Sequence, residues 1–112
     1  MSWTSADEGE SIGTNGFDGG IIVADFEHDL GARITLERLA GASNFSITCG
    51  IYDWFFHTRF FSKREDADAA FSEMQTALDR IINSIPLKND PESGAKVEAV
   101  TVSISEFVDN FP

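Results

Sequence analysis

The stretch FSITCGIYDWFFHTRFF, residues 45–61, decides how this chain folds, because it carries apolar side chains on two faces in turn. Phe45, Ile47, Cys49 and Ile51 are apolar at odd positions, with Ser46 and Thr48 between them. Past Gly50 the heavier apolar set sits at even positions, on Tyr52, Trp54, Phe56 and Phe60. Strand side chains alternate with a period of two, so a change of phase marks a turn or a bulge. Seventeen residues greatly exceed the usual strand length, and Gly50 and Asp53 suit a turn. Two strands, 44–51 and 54–62, are therefore preferred over one bulged strand. Phe55 and Phe61 fall on the opposite side from the even set, which gives the sheet apolar surface on both faces.

Working outward, IIVADFEH places Ile22, Ala24 and Phe26 on one side, with Asp25 and Glu27 opposite. ARITLERL repeats the alternation with Ile34 and Leu36, and Gly31 supplies the turn between the two runs. LAGASN provides a further turn before the aromatic run. Beyond it, Ser62 and Glu65 form an S-x-x-E capping box ahead of Ala67, Ala70, Phe71, Met74, Leu78, Ile81, Ile82 and Ile85 at helical spacing. A helix over 63–84 is expected, stopped by Pro86, with its stripe on the Ile22/Phe26/Ile34/Leu36 side of the sheet. PLKNDPESG reads as a loop. Val100, Val102 and Ile104 then alternate with Ala99, Thr101 and Ser103 and read as a fifth strand. SEFVDNFP reads as a short helical turn or a docked tail. The expected fold is α+β: an antiparallel meander of four strands with a fifth after the helix, and one long amphipathic helix packed on one face. Residues 1–19 read as a flexible acidic segment, and 20–112 as a single α+β domain.

The chain of 112 residues carries nineteen acids against eight bases, a net charge of −11. Seven of the acids, and no Lys or Arg, lie in residues 1–29. Such a balance disfavours direct binding to a nucleic-acid backbone and favours solubility, or a basic partner. A chain of net charge −11 lacks the broad basic surround that a stacking platform for bases needs, so Trp54, Phe56 and Phe60 read as core under the helix. No apolar run approaches a membrane span, and MSWTSADEGESIG lacks the basic start and apolar stretch of a secretion signal. The single Cys49 excludes an internal disulfide framework and points to a cytoplasmic protein.

Motifs that carry chemistry are sparse. His57 and Arg59 share one side of the last meander strand between Phe55 and Phe61, where two donors suit a carboxylate or phosphate. Glu27 and His28, at a hairpin end, are candidate contributors to the same anionic-ligand site. Strand neighbours point to opposite faces, so Glu27, His28 and Asp29 make a poor metal site. Cys49 has no local base and reads as a small core hydrophobe. No catalytic residue, metal or cofactor is assigned. The leading expectation is a non-catalytic protein-interaction module, acting as a homodimer or as an acidic, inhibitor-like binder of a basic protein. Its expected interface residues are Phe55, Phe61, Phe107 and Phe111. The competing expectation is a small anionic-ligand binder or enzyme using the His57/Arg59 groove.

Overall fold

The computed structural model describes residues 3–41, 44–86 and 89–112. Parts of the turn at 39–44 and of the loop at 86–94 therefore lie outside the described residues. Strands β1 (Trp3–Ser5), β2 (Ile21–His28), β3 (Ala32–Arg38), β4 (Phe45–Ile51) and β5 (Phe55–Phe61) form one antiparallel sheet in chain order. Helices α1 (Arg64–Asn83) and α2 (Ser93–Asn110) complete an α+β fold. The meander of β2 to β5 and the helix after it follow the expected pattern. The fifth strand is not the segment after that helix. It is β1, which pairs Trp3 with His28 and Ser5 with Phe26 at the other edge.

Directly opposed residues in an antiparallel pair share a face, so the register sorts every side chain. Ile34 faces Cys49, Leu36 faces Ile47 and Ala32 faces Ile51, and all six are buried. Ile51 then faces Phe55, and Phe45 faces Phe61. The connection Tyr52–Asp53–Trp54 closes with Trp54 N–H donating to Ile51 O at 2.9 Å. Three residues between paired positions preserve parity, so the odd set runs on through Phe55, His57, Arg59 and Phe61. This corrects the expected arrangement: Phe55 and Phe61 lie on the helix side, while Phe56 and Phe60 lie on the other. A second correction comes from β2, whose register shifts between Ile22 and Ala24. The bulge turns Ile22 away from Ala24 and Phe26, to pair with Glu37 on the far face.

α1 lies across β3 and β4 and buries Ala67, Ala70, Phe71, Met74, Leu78, Ile81 and Ile82. Its carboxylates Glu65 and Asp66 occupy the first turn and Arg80 the last, each favourable to the helix dipole. The expected capping box does not form. Lys63 stands at the N-cap, and no side chain hydrogen-bonds the cap. The segment read as a strand at 99–104 is the middle of α2, which also takes in Ser93 and Gly94 from the expected loop. Val100, Ile104, Phe107 and Phe111 recur at spacings of four, three and four and turn toward the core, leaving Val102 in solvent. Helical spacing and strand alternation coexist here, and burial of the helical stripe decides between them. Phe107 meets Phe55 at 5.6 Å and Phe111 at 4.9 Å between ring centroids. α2 and its tail thus roof the part of β5 that α1 leaves open.

Candidate functional site

With both helices on one side, the other face of the sheet is roofed only in part, by residues 9–20. That face shows Asp25 and Glu27 from β2, Arg33, Thr35 and Glu37 from β3, and Thr48 and Gly50 from β4. From β5 it shows Phe56, Thr58 and Phe60. The crossing segment is anchored by Glu37, which is fully buried. Its carboxylate accepts from Asp18 N–H, at 3.1 and 3.2 Å to the two oxygens, and from Gly20 N–H at 3.1 Å. A Cβ at Gly16 would collide with that carboxylate, so only glycine lets the chain pass so close. Asp18 in turn accepts from Thr48 Oγ1 at 3.0 Å, and Thr48 and Thr58 share a hydrogen bond of 3.0 Å.

Between this segment and the sheet lies a cleft of about 470 Å³. Phe17, Tyr52 and Phe56 supply its aromatic walls, and Thr35, Thr48 and Thr58 line it with hydroxyls. Gly50 matters to the Phe56 wall: a Cβ there would sit 2.6 Å from the ring and against the Phe55 carbonyl. The ring therefore lies over bare backbone. A shallower hollow of about 610 Å³ adjoins the cleft, shares Arg33, Ile22 and Asn15 with it, and is rimmed by Asp7, Glu8 and Glu10.

The electrostatics of this face are one-sided. Arg33 donates from Nε to Asp25 Oδ1 at 3.0 Å and from Nη2 to Oδ2 at 2.6 Å, and Thr35 Oγ1 donates to Oδ1 at 2.9 Å. Burial alone would raise the Asp25 carboxyl, but the hydrogen bonds from Arg33 and Thr35 outweigh it and hold the group below the ordinary carboxylate range. The hydrogen bonds to Asp25 and its negative charge push the Arg33 guanidinium further up. Asp7 and Glu27 lie 3.9 Å from Arg33 as well. Among the described residues, this face, its crossing segment and the turn before it set Asp7, Glu8, Glu10, Asp18, Asp25, Glu27 and Glu37 against the single cation Arg33. A guanidinium so satisfied offers little to an anion; the face as a whole suits a cation.

The sequence-predicted residues are distributed differently. His57 and Arg59 do stand together on β5, but beneath the end of α2. His57 Nε2 hydrogen-bonds the Phe111 carbonyl, and the Arg59 guanidinium sits 4.8 Å from the Phe61 ring centroid and 6.0 Å from that of Phe111. Glu27 is on the opposite face. His28 is on β2, separated from β5 by two strands. It is buried, with Nε2 bonded to Asp79 Oδ1 at 2.6 Å and Nδ1 accepting from Leu30 N–H at 3.1 Å. That acceptor role assigns the ring proton to Nε2, and the pair ties α1 to the β2–β3 turn. Of the expected interface set, Phe55, Phe107 and Phe111 stack on one another within a single copy, and Phe61 and Phe107 are buried.

Burial raises the Cys49 thiol to about 12, so it holds its proton at neutral pH and has no nucleophilic character there. Among the described residues, no group of three His, Cys, Asp or Glu is arranged to hold a metal ion, and no helix is long and apolar enough to cross a membrane. The residues that shape the cleft, Phe17, Asp18, Glu37 and Gly50, carry little sequence signal. Only Phe17, a lone ring in a glycine-rich stretch, stands out. In comparisons with protein-family models, curated proteins and solved structures, the chain matches none.

Proposed function

We propose that this protein is a non-catalytic interaction module whose partly open sheet face docks a basic segment of a partner protein. One observation carries the reading: Phe17, Phe56 and Phe60 are 89%, 71% and 56% exposed on a face rimmed by the unburied carboxylates of Asp7, Glu8, Glu10 and Glu27, where the Arg33 guanidinium is already paired to Asp25. Exposed aromatic surface with a charged rim is the usual make-up of a protein-binding patch. Lys and Arg side chains suit it on both counts, since their stems lie along rings while their charged ends reach the carboxylates. The rim of Asp7, Glu8, Glu10 and Glu27 steers a basic partner and sets its salt dependence. The anionic-ligand reading is weaker, because His57 and Arg59 direct their polar groups to Phe61 and Phe111 of the same chain. A lone buried thiol supports a cytoplasmic setting.

The test uses a synthetic peptide alternating Lys with Phe, and a Glu/Phe peptide of equal length as control. The Lys/Phe peptide binds and the Glu/Phe peptide does not. Phe56→Ala weakens binding by about tenfold, as loss of an aromatic anchor does, with the fold intact. Equal binding of both peptides, or of the Phe56→Ala variant and the parent, would remove the proposal.

A further inference from the structure

We infer that two copies of this chain pair antiparallel through the outer edges of β5, about Thr58, so that Phe60 of the partner subunit completes the outer wall of the aromatic cleft.

The two edges of the sheet are built differently. β1 is three residues long and runs into a turn where Asp7 and Glu8 take left-handed backbone conformations, so it offers little ladder. β5 is seven residues long, and among the described residues no strand pairs with its outer side. Alternate residues there direct N–H and C=O groups outward, which makes a template for another strand. Exposed edges are ordinarily blunted by Pro, Lys, bulges or inward charge. Phe55–Phe61 has no Pro, no Lys and an unbroken register with β4. Its one inward charge, Arg59, is already taken up on the helix side by the Phe61 and Phe111 rings of its own chain and so does little to guard the edge. Residues 54–64 hold no carboxylate at all, so a chain of net charge −11 meets a second copy here without direct acid–acid contact.

The sequence of β5 is self-complementary in one register. Two copies related by a two-fold axis normal to the sheet place one residue opposite itself. With Thr58 on the axis, Phe56 faces Phe60 of the partner subunit and Phe55 faces its Phe61. Arg59 faces the imidazole of His57, and the guanidiniums are staggered. Moving the axis to His57 sets Phe56 against Thr58 and breaks both aromatic pairings. Moving it to Arg59 sets two guanidiniums against each other. Cross-strand aromatic pairs are stabilising and opposed like charges are not, which selects Thr58. In that register both cleft-bearing faces lie on the same side of a ten-stranded sheet, with the helices on the other. The exposed ring of Phe60 then borders the neighbouring copy's Phe56. This pairing stands independently of the docking reading, since a monomer can present the same cleft.

Cysteine cross-linking tests it, because opposed positions satisfy disulfide geometry and offset ones do not. In full-length protein under mild oxidation, Thr58→Cys forms a covalent dimer at least about tenfold faster than Phe56→Cys, whose like positions lie four residues apart along the ladder. Cys49 is buried, so the parent protein is the background control. Light scattering on the parent gives a mass rising to twice that of the monomer between about 10 µM and 1 mM, the range of a small, weak interface. A parent that stays monomeric throughout, or a Phe56→Cys that cross-links as fast as Thr58→Cys, overturns the pairing. A monomer that still binds the Lys/Phe peptide leaves the docking reading standing, and a dimer that ignores that peptide does the reverse.

Discussion

Glu37 concentrates the unusual chemistry of this protein in one side chain: a fully buried carboxylate with backbone amides, and no cation, as hydrogen-bond partners. Glu37→Ala leaves the Asp18 and Gly20 amides without acceptors, at a cost of about 1–3 kcal/mol for each. Glu37→Gln keeps one acceptor oxygen and costs less. Urea unfolding ranks the two variants, and proteolysis of Glu37→Ala is expected to cut between residues 9 and 20 first. Asp25 sets a pH dependence. Its folded pKa lies below the ordinary 3.8, so its contribution is full above that value and is lost as pH falls through the depressed folded value. Melting curves of the parent should fall on that acid limb, and Asp25→Asn should flatten it while lowering stability at neutral pH. A parent and variant with parallel acid limbs would deny Asp25 this role. Asp53, at φ 71° in the β4–β5 turn, is left-handed. Asp53→Gly is therefore neutral or stabilising, while Asp53→Val costs about 1–2 kcal/mol, both readable from thermal melts.

At the scale of elements, the aromatic residues divide into two classes that composition does not distinguish. Phe71→Ala and Phe107→Ala each empty a packed site and lower stability by about 3–5 kcal/mol in urea titrations. Phe56→Ala removes a ring already in solvent and changes stability by less than about 0.5 kcal/mol. Ser62→Ala is near neutral as well, because no side-chain cap forms there. Comparable losses at Phe56 and Phe107 would mean that the faces of β5 have been exchanged. β2 to β5 and α1 are legible because single periodicities run through Ile34–Leu36 and through Phe71–Met74–Leu78, whereas the three residues of β1 are too few to show one. β5 reads from its sequence as a strand, but its facing does not follow from it, since both parities carry rings and the parity of a three-residue turn settles the matter. α2 is ambiguous in sequence because Val100, Val102 and Ile104 mimic a strand while Val100, Ile104 and Phe107 fit a helix. The cleft was not legible at all. It depends on Glu37 reaching back to the amides of 18 and 20, a contact that no local pattern announces.

The whole molecule is a sheet with one covered face and one partly open face, and its charge is distributed to match. The helical layer satisfies the apolar face, so association is not needed to bury Phe55 and Phe61. Exposed rings and unbalanced carboxylates remain on the far side, where Phe17, Tyr52 and Phe56 surround a cleft. Added salt is expected to weaken binding of a basic peptide there, because exposed charges are screened within about 8 Å at 0.15 M ionic strength, while the aromatic contribution persists. Calorimetry across a salt series separates the two. Most direct of all is the map of amide chemical shifts while the Lys/Phe peptide is added. The largest changes should fall on Phe17, Tyr52, Phe56 and Thr58, with α1 and α2 unmoved. Changes confined to the helices, or to the His57, Arg59 and Phe111 contact, would contradict the assignment of the open face as the working surface.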